Sequence, residues 1–155
     1  MTSKPAHYCD LLLQAQGLFD GIRYPIANAA NLSALLWYGL PDLNWAGFYI
    51  LRGDQLLLGP FQGKPACVRI PMGKGVCGTA AATRATVIVP DVHAFPGHIA
   101  CDSASNAEIV VPLITAGTLT GVLDLDSPLL ARFDEEDRHG LEALARAFTL
   151  GSDPF

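Results

Sequence analysis

The chain contains no apolar run near the roughly 18 residues needed to cross a bilayer, so a membrane span is not expected. Its opening, Met1-Thr2-Ser3-Lys4-Pro5, lacks the apolar core of a secretory signal, which makes the cytoplasm the expected location. Basic residues are scarce. Ten Lys plus Arg stand against fifteen Asp plus Glu, for a net charge of −5. Such a chain is poorly equipped to neutralise phosphates, and a nucleic-acid partner is not expected. There is no internal repeat, no low-complexity stretch and no linker. Close C-x-x-C pairs are also missing, which removes zinc-ribbon and zinc-finger arithmetic. A metal site built from scattered cysteines with His98 is a minor alternative. What the chain has instead is 50% hydrophobic residues over 155 positions, enough for the core of one domain spanning 1–155.

Two helices account for the first forty residues. Leu11, Leu12, Ala15 and Leu18 recur at helical spacing, as do Ala29, Leu32, Leu36 and Leu40. Pro25 suits the start of the second helix, and Gly39 with Pro41 its end. Trp45 to Leu51, the turn Arg52-Gly53-Asp54, and Gln55 to Leu58 read as a β-hairpin. Short strands follow at Ala66–Ile70 and Thr86–Val89, separated by a helix from about Val76 to Thr83. Ala107–Ile114 and Leu119–Leu125 read as paired strands. Leu141, Leu144, Ala145 and Phe148 mark a final helix capped by Asp134. The expected class is α+β, with a central, mostly antiparallel sheet flanked by N- and C-terminal helices.

Four cysteines in a reducing compartment need a reason. Cys67, Cys77 and Cys101 are spaced 10 and 24 residues apart. Cys77, in Gly75-Val76-Cys77-Gly78-Thr79, falls near a predicted helix N-terminus, where the dipole would lower its pKa. Cys101 lies in a loop of 17 residues, Pro90 to Asn106, three residues after His98. Irregular loops of that length are usually functional. An exposed, mobile loop thiol can attack one partner and then another, as redox chemistry requires. Cys67 alternates with Ala66 and Val68 on the expected strand. Cys9 reads as an inert buried thiol on the first helix, and His93 and His98 as loop hydrogen-bonders.

Asp124 and Asp126, two apart on a strand, point to one face. A three-residue loop Thr115-Ala116-Gly117 would place Glu108 directly opposite Asp124, whereas a two-residue loop would break that register. Three carboxylates on one patch raise each other's pKa values, and burial raises them further. Such a patch can grip an ammonium group or hold a proton for donation near neutral pH.

From Gly73 to Pro112 the chain reads Gly-Lys-Gly-Val-Cys-Gly-Thr-Ala-Ala, then Val-Pro-Asp-Val-His, Phe-Pro-Gly-His-Ile-Ala-Cys-Asp and Glu-Ile-Val-Val-Pro. With Asn44-Trp45-Ala46-Gly47-Phe48-Tyr49 before it and Gly121-Val122-Leu123-Asp124-Leu125-Asp126-Ser127 after it, this stretch resembles the free methionine-(R)-sulfoxide reductases, single-domain GAF proteins. The resemblance implies a GAF-like fold and reduction of free methionine-(R)-sulfoxide. It implies Cys101 as the nucleophile, Cys67 as the resolving thiol and Cys77 as a third redox cysteine that can also pair with Cys101. It further implies a substrate pocket of Trp45, Tyr49, Glu108, Asp124 and Asp126, no cofactor or metal, and recycling by thioredoxin. GAF domains often dimerise, so a homodimer is an open option. The competing reading is a non-catalytic GAF sensor for a small ligand.

Overall fold

The computed structural model describes residues 1–155. Helices α1 (Lys4–Phe19) and α2 (Pro25–Gly39) precede a hairpin of β1 (Trp45–Arg52) and β2 (Gln55–Gly63). Then come β3 (Arg69–Pro71), α3 (Gly75–Thr83), β4 (Val87–Val89), a 3-10 turn (Val92–Ala94), β5 (Ala107–Thr115), β6 (Thr118–Ser127) and α4 (Glu135–Gly151). All six strands form one sheet in the order β3-β2-β1-β6-β5-β4, with every neighbouring pair antiparallel. No helix is long and apolar enough to cross a membrane.

Period-2 alternation divides the strands between two cores. Ala46 and Phe48 of β1, Ile109, Val111 and Leu113 of β5, and Leu123 and Leu125 of β6 meet α1, α2 and α4. Trp45, Tyr49, Val110 and Val122 face the other way, into a smaller cluster with Val76, Cys77 and Ala80 of α3. The sheet is therefore covered on both faces, which explains the unbroken burial of β1 from Trp45 to Ile50.

The helices end where their residues dictate. Ser3 accepts from the Ala6 N–H at the start of α1, and Pro25 occupies the first turn of α2. Asp134 and Asp137 form a reciprocal capping box on α4. The buried Asp137 also accepts from Tyr8 Oη at 2.8 Å and pairs with Lys4 at 3.0 Å, joining α1 to α4. On α1 the buried stripe is Tyr8, Leu11, Ala15 and Phe19, whereas Leu18, expected on it, is 41% exposed. The larger Phe19 ring takes the inward position and packs edge-on against Phe148. Phe155, in the tail after α4, packs edge-on against Phe48 and tilted against Phe148.

Two expectations need correcting. The strand expected at Ala66–Ile70 is only Arg69–Pro71, so Cys67 belongs to the loop after β2. Trp45 Nε1 donates to Lys64 O at 3.2 Å and Tyr49 Oη to Cys67 O at 2.8 Å, side-chain bonds that hold this backbone off the sheet. Cys9 is exposed rather than buried, because it sits one residue past the inward-facing Tyr8.

Candidate active site

Strand register brings the carboxylates together. Ala116 and Gly117 have φ of 49° and 79°, forming a two-residue turn that pairs Thr115 with Thr118. Continued unbroken, that register would set Glu108 against Leu125 and put the acids on opposite faces. A bulge intervenes. Leu113 pairs with Gly121 but Ile114 with Leu119, leaving Thr120 as an extra residue on β6. Glu108 consequently lies opposite Asp126, and Val110 opposite Asp124. The three-residue turn and the Glu108–Asp124 pairing read from the sequence are both corrected, while the shared face survives because the net shift is even.

The same rows continue onto β1, where Trp45 pairs with Asp126 and Gly47 with Asp124. Trp45 stacks on Tyr49 at 5.8 Å and on Phe61 at 5.2 Å, giving an aromatic wall beside the acidic one. Gly47 lets Phe61 of β2 approach closely on that side. A Cβ there would lie 2.3 Å from that of Phe61.

Helix α3 closes the opposite side. Cys77 is 4% exposed, with Sγ 3.8 Å from Glu108 Oε1. Its thiol is pushed well above the usual range, first by burial and then by Asp124, Glu108 and Asp126. This reverses the lowered pKa expected from the helix N-terminus. A helix dipole contributes about 0.3–1 kcal/mol, whereas burial can move a pKa by up to about 3–5 units. Burial also pushes Glu108 and Asp126 well up, with Asp124 adding repulsion to each. For Asp124 the rise from burial is partly offset by hydrogen bonds from Glu108 and Cys77, leaving it at about 6.

Cys67 and Cys101 form a disulfide at the edge of this cleft, with Cα atoms 5.6 Å apart and a sequence separation of 34. The metal set of cysteines with His98 weighed from the sequence does not assemble, since two of its thiols are bonded to each other. His98 lines the cleft, its pKa lowered by burial and by His93. His93 reaches Asn106 Oδ1 at 3.0 Å.

Seven of the eight residues expected at the site line this one cleft, Trp45, Tyr49, Cys77, Cys101, Glu108, Asp124 and Asp126, and the eighth, Cys67, is joined to it by the disulfide. The free space is about 40 Å³, and no Lys or Arg lines it. An acidic wall with no basic side chain opposite it favours a cation over the phosphate of a nucleotide.

Asn44 escaped the sequence reading. Its Nδ2 donates to Asp102 Oδ2 at 3.1 Å and to Ser105 Oγ at 2.9 Å, tying the loop just after Cys101 to the start of β1. An Asn preceding a strand reads as turn punctuation, and nothing local signals a contact 58 residues away.

Comparison with known proteins agrees with this geometry. The family model for the GAF domain matches residues 14–150. The free methionine-R-sulfoxide reductase of Escherichia coli strain K12 is 54% identical over 142 residues, covering 92% of this chain and 86% of that protein. Its counterpart in Saccharomyces cerevisiae is 49% identical over 144 residues, covering 88% and 80% respectively. Among solved structures, the Neisseria meningitidis free methionine-R-sulfoxide reductase in complex with its substrate superposes with a TM-score of 0.93 at 45% identity. That match covers 97% of this chain and 91% of the other.

Proposed function

The chain belongs to the GAF-domain family of free methionine-R-sulfoxide reductases, and we propose that it reduces free methionine-(R)-sulfoxide to methionine with Cys101 as the attacking thiol. The observation that carries this reading is the Cys67–Cys101 disulfide at the rim of a cleft walled by Glu108, Asp124 and Asp126. A sulfoxide reductase needs two thiols that can close on each other, and an acid that still holds a proton near neutral pH.

The substrate's ammonium group is the cation that the acidic wall lacks. Methionine sulfoxide within a peptide chain carries no such group, so the pocket selects the free amino acid. Trp45 packs against the methyl end, and the aromatic and acidic walls together fix the orientation of the chiral sulfur.

A sulfoxide oxygen leaves poorly until protonated. Glu108 and Asp126, kept protonated by burial, are the donors. Cys101 Sγ attacks sulfur, the oxygen passes to Cys101 as a sulfenic acid, and methionine leaves as the thioether. The proton spent by the acid is replaced by the one the Cys101 thiol gives up. Cys67 then attacks Cys101 Sγ and releases water. One sulfoxide and two thiols become one thioether, one disulfide and one water. Cys77 is a poor first nucleophile because its buried thiol resists ionisation. In this scheme it serves as an alternative resolving thiol.

An external dithiol of the thioredoxin type restores the pair by exchange, in keeping with a cytoplasmic setting. A second copy of the chain is the other partner in the proposal. Exposed Leu13, Ile26 and Tyr38 offer it apolar surface on α1 and α2. The test is NADPH consumption with thioredoxin and thioredoxin reductase, offered free methionine-(R)-sulfoxide, its (S) epimer and an N-acetylated (R) substrate. Turnover confined to the free (R) form is expected. No turnover of any substrate, with the thiols confirmed reduced, would move the assignment to a ligand-sensing GAF domain.

A further inference from the structure

Three donor atoms of unlike chemistry converge on the inner wall of the cleft. Cys77 Sγ and one carboxylate oxygen each from Glu108 and Asp124 lie within 4.8 Å of one another. All three residues are at least nine-tenths buried. Asp124 Oδ1 has no hydrogen-bond partner although it is enclosed. No Lys or Arg lines the cleft to neutralise the group. A buried carboxylate oxygen without a donor or a cation is an unbalanced acceptor, and its cost is removed when a cation arrives.

We propose that Cys77, Glu108 and Asp124 bind a thiophilic divalent cation of the Zn²⁺ or Cd²⁺ class, as a blocking ligand and not as a cofactor.

The donor set selects the class. A thiolate with two carboxylates suits Zn²⁺ and Cd²⁺, while Mg²⁺ and Ca²⁺ take oxygen ligands. The spacing fits as well. Zn–S near 2.3 Å and Zn–O near 2.1 Å in a tetrahedron place donors about 3.4–3.6 Å apart. The observed Cys77–Glu108 separation of 3.8 Å needs only a small side-chain adjustment. Binding forms one metal–thiolate and two metal–carboxylate bonds and releases to solvent the protons held by Cys77 and Glu108, with no change of oxidation state. Water completes the fourth position. On the function proposed above, the ion stands where the substrate's ammonium would be held, so ion and substrate exclude each other. That consequence rests on the functional reading, but the site itself does not.

The disulfide form makes a clean test, because Cys67 and Cys101 are then unavailable as ligands. A Cys9→Ser change removes the exposed thiol outside the site. Cd²⁺ is titrated into this oxidised protein without any dithiol, and thiolate-to-metal charge-transfer absorption is followed in the ultraviolet. The band should saturate at one ion per chain, and added Zn²⁺ should abolish it. Cys77→Ser in the same background should lose the band. Glu108→Gln keeps the thiol and should weaken Cd²⁺ binding at least about tenfold, the lower end of what second-shell changes alone do to metal sites. No band in the Cys9→Ser protein overturns the proposal, as does a band that survives Cys77→Ser or an affinity unmoved by Glu108→Gln. The metal readout does not depend on turnover, which is assayed separately. A missing band beside normal sulfoxide reduction refutes the metal site alone, and a band beside no reduction refutes the functional reading alone.

Discussion

Replacing Asp124 by Asn should stabilise the protein at pH 8 while damaging its chemistry. Asp124 is raised from 3.8 to about 6, chiefly by burial. The folded state therefore holds this proton more tightly than the unfolded chain does, and stability from this group is full below the unfolded pKa. It is lost as pH rises through the folded value, because the native state must then ionise a buried carboxyl. A shift of about two units at about 1.4 kcal/mol each makes the penalty at pH 8 about 3 kcal/mol. Asn does not ionise, so the variant escapes it. Packing differences between the two side chains are common to all pH values. The quantity to read is thus the change, between pH below 4 and pH 8, in the stability difference between variant and parent. Urea denaturation of the oxidised proteins measures it. A gain of about 3 kcal/mol for the variant across that interval is expected, nearly all of it before pH 7. A difference independent of pH would show that Asp124 ionises as freely in the fold as in water, and the argument for a proton-holding acidic wall would lose its footing.

Cys101→Ser should abolish sulfoxide turnover, whereas Cys77→Ser should retain most of it. A fully active Cys101→Ser beside a dead Cys77→Ser would exchange their roles. Gly121→Ala would bring a Cβ to 2.3 Å from the Tyr49 carbonyl oxygen. Because that neighbour is backbone, a loss of about 1–3 kcal/mol in urea denaturation is expected, and an unchanged midpoint would show that the β1–β6 spacing yields freely. Asn44→Ala removes two hydrogen bonds from the segment after Cys101. It should slow Cys67–Cys101 closure in stopped-flow fluorescence of the nearby Trp45, leaving the free (R) preference intact. Unaltered closure would mean that the loop positions itself.

The parts of the fold that show in the sequence are those with strong periodicity or explicit caps. The stripes of α2 and α4, Pro25 at a helix start and Asp134 at a helix cap signal themselves locally. The acids on a common face were legible because Asp124 and Asp126 are two apart on a strand. Their partner was not. The Glu108–Asp126 pairing depends on Thr120 bulging out of β6, and one extra residue within a strand leaves no mark in its apolar pattern. Cys77 shows a different limit. Its helical position is readable, but the sign of its pKa shift is set first by burial and then by carboxylates from β5 and β6, both of which only tertiary packing delivers. Ala66-Cys67-Val68 is apolar enough to signal a strand that does not form. The hydroxyl of Tyr49 and the indole of Trp45 instead hold that segment as a loop beside Cys101.

The most direct test of the account is a single turnover without any external dithiol. Fully reduced protein is mixed with one equivalent of free methionine-(R)-sulfoxide, methionine is quantified, and disulfides are located by peptide mass mapping. One methionine per Cys67–Cys101 disulfide formed is the predicted result. Methionine released without that disulfide, or the disulfide formed without methionine, would separate the thiol pair from the chemistry and contradict the account.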